Sequence, residues 1–110
     1  DWLKDQARAE ITRHALPMAE DLGRSVPRIT IRDTRSRWGS CSSRGDLAFS
    51  WRLVLAPAEV LHYVVVHEVA HLVEMNHSPA FWRVVETLAP QAKPARAWLK
   101  RHGGQLHRYG

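Results

Sequence analysis

The sequence contains a single cysteine, Cys41, and no long hydrophobic run. One cysteine excludes an internal disulfide, which is typical of proteins in a reducing compartment. A membrane-spanning helix needs about 18 or more consecutive apolar residues, and no stretch of this sequence meets that requirement. No signal-peptide pattern opens the chain. We therefore expect a cytoplasmic protein without a membrane partner, and the sequence leaves the oligomeric state open.

The length of 110 residues is suited to one domain with one hydrophobic core. We predict a single domain over residues 1–110, with an N-terminal helix in 1–26, a sheet in 27–55 and a helical part in 56–110. Because the chain begins at Asp1, we expect a processed chain or an excised domain. The formal charge of +5 favours anionic partners only weakly, since the basic residues are scattered.

Hydrophobic spacing predicts four helices. Apolar residues recur every three or four positions in four segments, as in helices that bury one face. The segment that begins at Pro57 is apolar around most of its circumference, which is typical of a central, buried helix. Helices are predicted over residues 2–22, 57–75, 78–89 and 94–102.

Three shorter segments alternate apolar and polar residues, which is the period of half-buried strands. They are RITIRD (28–33), SRWGSCS (36–42) and LAFSWRL (47–53), and the last two are separated by the turn-forming residues 43–46. The predicted fold class is therefore α+β. We expect a three-stranded antiparallel sheet that packs against the central helix, with one helix before the sheet and two helices after the central helix.

The central helix contains the most informative stretch, VVVHEVAHLVEMNH (64–77). His67 and His71 are four residues apart, so their imidazoles project from one helix face and reach a common point. Polar groups in an apolar helix are costly without a partner, and a metal ion is such a partner. Glu68 can flank that ion without ligating it and accept a proton from a bound water.

A third protein ligand is needed, and His77 is the candidate. It follows His71 by six residues and is out of phase with that helix face, so the helix must end near Glu74 and the chain must fold back. Asn76 can adopt a left-handed conformation at modest cost, which makes such a turn feasible. The pattern predicts a Zn²⁺ site, although imidazole sites also accept other divalent first-row metals. The competing interpretation, core histidines satisfied by hydrogen bonds, leaves Glu68 unexplained.

Three motifs in order resemble the YgjP-like metallopeptidase family, which is related to the SprT-like and WLM domains. They are RSRWGSCS (35–42), HEVAHLVEMNHSPAFW (67–82) and WLKRHG (98–103), and the likeness spans about residues 27–103. The resemblance implies a minimal zincin fold and hydrolysis of a peptide or protein substrate. It also implies that the zinc ligands are the three histidines 67, 71 and 77 and that the catalytic base is Glu68.

Two other functions stay open at this point. A basic protein with a polarised water can hydrolyse a nucleotide phosphoanhydride, with Arg35, Arg37 or Arg44 holding the phosphates. The same arginines suit nucleic acid, and a DNA-associated protein with a structural zinc is the third hypothesis. Strand 47–53 is a candidate to pair with an extended peptide. The candidates for stabilising an oxyanion are Tyr63, His62, His107 and Tyr109.

Overall fold

A computed structural model describes residues 2–33 and 37–102 of the chain. The elements in order are α1 (Trp2–Asp21), β1 (Ile29–Arg32), β2 (Gly39–Cys41), β3 (Leu47–Ser50), a 3₁₀ helix (Trp51–Leu55), α2 (Ala58–Ala70), α3 (Pro79–Leu88) and α4 (Lys93–His102). The α+β prediction is confirmed. Within the described residues no helix is long and apolar enough to cross a membrane. The division into parts at residues 26 and 55 stays a prediction.

The sheet is mixed, so the predicted all-antiparallel sheet is wrong. Its strand order is β1-β3-β2. β2 and β3 form an antiparallel hairpin, whereas β1 runs parallel to β3, with Ile29 opposite Leu47. The reason is that β1 packs against α1 and β2 packs against α2. The chain therefore passes from one edge of the sheet to the other before β3 returns between them.

The turn between β2 and β3 forms where the sequence predicts it. Ser42 and Asp46 pair through their backbones, and the hydroxyl of Ser42 accepts a hydrogen bond from the backbone N–H of Asp46 at 3.1 Å. Gly45 has a φ of 92°, a conformation that side chains other than glycine rarely adopt. These contacts fix the register of the hairpin, and with it the position of β2 beneath α2.

β3 is shorter than predicted because a 3₁₀ helix begins directly after Ser50. The Ser50 hydroxyl accepts a hydrogen bond from the backbone N–H of Arg52 and so caps this helix. The carboxylate of Asp33 accepts hydrogen bonds from the Trp51 indole at 3.0 Å and from Arg52 at 2.7 Å. This contact holds the end of β1 against the end of β3, in keeping with their parallel pairing.

Helix α2 lies at the centre of the hydrophobic core, as predicted. Its side chains are buried almost continuously from Val60 to Ala70, because α1, α3, α4 and β2 all pack against it. Phe49 from β3 and Phe81 from α3 are among the largest fully buried side chains. Trp2, at the start of α1, is 72% exposed and lies outside this core. A helix this enclosed has little room for polar side chains, so its histidines and glutamate need an explanation.

Candidate metal centre

Helix α2 presents His67 and Glu68 in its last turn, and His71 is its C-terminal cap. His67 and His71 are each only 4% exposed and Glu68 is fully buried. Apolar side chains around the helix keep water from these groups. The backbone of α2 therefore places three polar side chains in a dry environment, where electrostatic interactions are stronger than in water.

The α-helix ends at Ala70, earlier than the predicted end near Glu74. The next turns tighten: the backbone N–H of Leu72 bonds to Val69 and the N–H of Val73 bonds to Ala70. Asn76 does not use the left-handed conformation that is open to it, since no described residue other than glycine has a positive φ. Turns of the 3₁₀ type, which are tighter than those of an α-helix, let the chain change direction here without a left-handed residue.

His77 is positioned by the start of α3. It directly precedes Ser78, whose hydroxyl accepts a hydrogen bond from the backbone N–H of Phe81 at 3.3 Å. Pro79 occupies the first helical position, where its missing N–H has no cost. The cap therefore holds the exposed side chain of His77 beside the two buried histidines of α2.

The three histidines converge. Each of His67, His71 and His77 offers a nitrogen, and these nitrogens all lie within 4.8 Å of one another. Nitrogen ligands of a tetrahedral zinc ion, at about 2.0 to 2.1 Å from the metal, are roughly 3.3 Å apart. The observed separations, all within 4.8 Å, are of this order. The cluster is therefore compatible with one metal ion.

The hydrogen bonds of His71 leave one of its nitrogens for a metal. Nδ1 lies 3.0 Å from the backbone carbonyl oxygen of Glu74, which can only accept, so Nδ1 carries the proton. Nε2 of the same ring is buried and has no hydrogen-bond partner in the described part of the chain. A buried atom of this kind costs about 1–3 kcal/mol unless something binds it. The backbone of Glu74, rather than a carboxylate side chain, thus orients the ring of His71.

Burial is the main influence on the protonation of the histidines. It lowers the pKa of His67 to about 4, and the positive charge of Arg96 contributes in the same direction. Burial also lowers the pKa of His71 and, with a contribution from His67, the pKa of His77. All three rings are thus neutral near pH 7, which is the form that ligates metals.

Glu68 lies directly beside the cluster. Its Oε2 is 3.4 Å from Nδ1 of His67, and its Oε1 is buried without a hydrogen-bond partner among the described residues. Burial raises the pKa of Glu68 to about 7, although His71, His77 and Arg37 oppose the rise. A carboxyl group with such a pKa exchanges a proton readily near neutral pH, as a general base must.

Gly39 on β2 leaves the space that the Glu68 side chain occupies. A Cβ atom at position 39 would lie 3.0 Å from Cγ of Glu68 and 3.0 Å from a ring carbon of Phe49. Both distances are shorter than normal van der Waals contact. The methylene of Glu68 and the Phe49 ring are buried, so neither can move away freely.

We expect Gly39→Ala to push the Glu68 carboxyl out of position. Because a displacement of about 1 Å at a catalytic group can cost up to 10²-fold, we expect any hydrolytic activity that uses this carboxyl group to fall tenfold or more. The amount of bound metal should stay unchanged, since β2 carries none of the histidines. Steady-state kinetics and elemental analysis measure both quantities. Ser40→Ala, one residue along β2 on its opposite face, is the control, and equal activity in the two variants would contradict the expected role of Gly39.

The arginines and the oxyanion candidates named from the sequence do not form one group among the described residues. Arg35, His107 and Tyr109 lie outside the described residues. Arg37 lines a small cleft over β2 and β3, whereas Arg44 lines a polar cavity of about 410 Å³ that reaches His71. The structure does not bring these two arginines into one pocket.

Of the two remaining oxyanion candidates, only Tyr63 adjoins the histidine cluster. The Tyr63 and His67 ring centroids are 6.3 Å apart. His62 packs its ring against His14 instead, and its Nε2 is 3.3 Å from the backbone oxygen of Leu88.

Aromatic residues of α3 complete the cluster, and sequence reasoning did not assign them there. Phe81 stacks on His71 with ring centroids 4.5 Å apart. Trp82 is 36% exposed and stacks on His77 with ring centroids 5.8 Å apart. In the sequence, this placement was indicated only by the position of the two residues just after the Ser78-Pro79 helix start, which follows His77. These rings restrict the rotation of the imidazoles.

Comparison with known proteins agrees with this geometry. A family model described as the YgjP-like metallopeptidase domain matches residues 1–102. The chain belongs to the YgjP-like metallopeptidase family. The resemblance seen in the sequence motifs is thus confirmed, and the chain is a metallopeptidase, a hydrolase whose histidine cluster is compatible with a metal ion.

A solved structure is also similar to this YgjP-like metallopeptidase. It is the crystal structure of the metallopeptidase zymogen of Pyrococcus abyssi abylysin, with a TM-score of 0.70 and 25% sequence identity. The match covers 90% of this chain and 97% of the abylysin chain. No curated protein sequence matches the chain. The fold of four helices and a three-stranded sheet is therefore that of a metallopeptidase.

Proposed function

We propose that this YgjP-like protein is a zinc-dependent peptidase in which His67, His71 and His77 hold one zinc ion and Glu68 is the general base. The observation that carries the proposal is the convergence of three imidazole nitrogens within 4.8 Å beside a fully buried carboxyl group. The unpartnered Nε2 of His71 supports it, because a bound cation would satisfy this atom. Three protein ligands leave one position of a tetrahedral ion for water or substrate.

Glu68 has two tasks in this mechanism. When bound, a zinc ion supplies Lewis acidity, which acidifies water and polarises a carbonyl oxygen. The carboxylate of Glu68 accepts the proton of the attacking water and then delivers it to the nitrogen of the leaving amine. Its burial keeps competing water away, and its pKa of about 7 suits both transfers near neutral pH.

β2 is the strand that suits substrate alignment. The predicted pairing of a peptide with strand 47–53 is wrong, because β3 is the central strand and both of its edges are paired. β2 lies at an edge of the sheet and packs beneath α2. An extended peptide along its outer edge would gain backbone hydrogen bonds close to Glu68.

Removal of the metal tests the proposal. We expect a chelator to abolish cleavage of an unfolded protein substrate, and we expect one equivalent of Zn²⁺ to restore it, because the acidification of water depends on the ion. Elemental analysis of the purified protein, together with cleavage measured by gel electrophoresis, provides the readout. A protein freed of metal that still cleaves at the original rate would refute the zinc-dependent mechanism.

A nucleotide phosphoanhydride substrate is the second candidate. The polar cavity at His71 contains Arg24 and Arg44 together with Ser42 and Ser43, a composition that suits phosphate groups. The same zinc-loaded preparation, incubated with nucleoside triphosphates, tests this candidate. Phosphate or pyrophosphate release that disappears in Glu68→Gln would favour it over the peptidase.

A structural zinc in a DNA-associated protein is less well supported. Structural zinc sites are almost always closed by four protein ligands. In residues 2–33 and 37–102 the cluster consists of three histidines, and no fourth His, Cys, Asp or Glu joins it. Salt-dependent retention on DNA is the measurement that would favour this function. A cytoplasmic location stays a proposal based on the single cysteine.

A further inference from the structure

A second cavity lies beside the histidine cluster, between α2 and the two last helices. Its volume is about 520 Å³. Its principal lining residues are Tyr63, Trp82, Val85, Glu86, Lys93 and Arg96. Two of these also border the metal centre: the Trp82 ring centroid is 5.9 Å from that of His67, and Tyr63 is one helical turn before His67. A substrate held at the cluster therefore has this cavity immediately next to it.

The charge in the cavity is predominantly positive. Lys93 and Arg96, both from α4, are opposed by the single carboxylate of Glu86. The first turn of α4 contains no acidic residue that would neutralise them. Within the described part of the chain, Arg96 makes no ion pair. Its guanidinium lies over the indole of Trp82, 5.6 Å from the ring centroid, at the wall shared with the metal centre.

Arg96 is close enough to the catalytic side of the cavity to act there electrostatically. Its guanidinium lies over the Trp82 indole, and the centroid of that ring is 5.9 Å from the centroid of the His67 ring. Burial raises the pKa of Tyr63, and the charge of Arg96 opposes that rise. A carboxylate that entered the cavity would neutralise this charge, and the faces of Trp82 and Val85 would contact its methylene groups.

We propose that this cavity is a substrate pocket for a carboxylate group adjacent to the scissile peptide bond and that Arg96 is its specificity-determining residue. The inference rests on the proposed peptidase function. The carboxylate comes either from an aspartate or glutamate side chain or from the C-terminus of the substrate. In both cases the guanidinium of Arg96 forms the ion pair and the aromatic wall orients the residue that bears the carboxylate.

Paired peptides test the pocket. One pair differs only by Glu against Gln beside the cleavage site, and the other differs only by a free against an amidated C-terminus. Binding is measured by fluorescence anisotropy with zinc-loaded Glu68→Gln protein, so that the readout does not depend on turnover. The ratio of kcat/KM values is measured with the unsubstituted protein. We expect about tenfold tighter binding of the carboxylate member of one pair, and the pair that discriminates identifies the source.

Variants at position 96 decide the assignment. Arg96→Gln should reduce the preference about tenfold, to near unity, while Arg96→Lys should retain most of it, because the charge remains. Arg83→Gln is the matched control, since it removes the same charge from an exposed site on α3 outside the cavity. A carboxylate preference that survives in Arg96→Gln would overturn the proposal, as would an equal preference loss in Arg83→Gln.

The outcomes also separate this inference from the proposed function. Zinc-dependent cleavage without any carboxylate preference overturns the pocket assignment alone. Carboxylate-selective binding that depends on Arg96, in a zinc-loaded protein that cleaves none of these peptides, overturns the peptidase and leaves Arg96 only as the residue that binds a carboxylate in this cavity.

Discussion

Replacing Glu68 with glutamine is expected to lower the rate of peptide cleavage by about 10²- to 10⁴-fold, the usual contribution of a general base. An amide keeps the size of the side chain but cannot accept the proton. Because the three histidines are unchanged, zinc content should remain that of the unsubstituted protein. Single-substrate kinetics and elemental analysis of the same preparation measure both effects.

The stability of this variant separates loss of chemistry from loss of fold. Burial raises the pKa of Glu68 from 4.5 to about 7, so the ionised form is destabilised in the folded protein; the cost in stability grows as the pH rises from about 4.5 and is complete above about 7. The neutral amide avoids the cost, so the metal-free variant should be at least as stable at pH 8. Glu59→Gln, exposed at the start of the same helix, is the control and should keep full activity. Unchanged hydrolysis in Glu68→Gln would refute the base assignment.

Replacing His77 with alanine is expected to remove zinc. Two imidazoles from one helix do not fill a zinc site, and the loss of a direct ligand should exceed the 10- to 100-fold cost of losing an outer hydrogen-bond partner. Zinc affinity, measured by competition with a chromophoric chelator, should therefore fall more than about 100-fold. Peptide cleavage should be lost at zinc concentrations that saturate the unsubstituted protein.

His77 is the informative ligand to replace because it has no role in the core. It is exposed, whereas His67 and His71 are buried, so the metal-free form of His77→Ala should unfold within about 0.5 kcal/mol of the unsubstituted protein. The stabilisation that zinc adds, about 2.7 kcal/mol at 100 times the Kd, should disappear. His102→Ala, an exposed histidine of α4, is the control. Undiminished zinc affinity in His77→Ala would show that the ion is held elsewhere.

Local sequence patterns predicted most of the elements correctly. The helices and strands follow from apolar spacing, and the hairpin turn follows from residues 43–46. The strand order could not be predicted in this way, because the alternation in 28–33 and 36–42 shows that each segment is a strand but not which strand it pairs with. Which edges pair depends on where α1 and α2 lie, and that is a long-range property.

The candidate site likewise has a part that the sequence predicted and a part that only the structure shows. The four-residue spacing of His67 and His71 on a helix was sufficient to bring them to one face, with Glu68 beside them. The sequence alone also determined the resemblance to the YgjP-like family and the candidacy of His77 as a third donor. These are consequences of helical geometry and of residue type, which do not depend on the rest of the fold.

Only the tertiary structure decided what surrounds the cluster. It placed Gly39 against Glu68, the carbonyl of Glu74 on His71, and the cavity of Trp82 and Arg96 next to His67. These contacts join residues from different elements, and no periodicity along the chain encodes which elements meet. The reason is that packing maximises the burial of α2 as a whole, and the neighbours of each polar group are set by that collective arrangement.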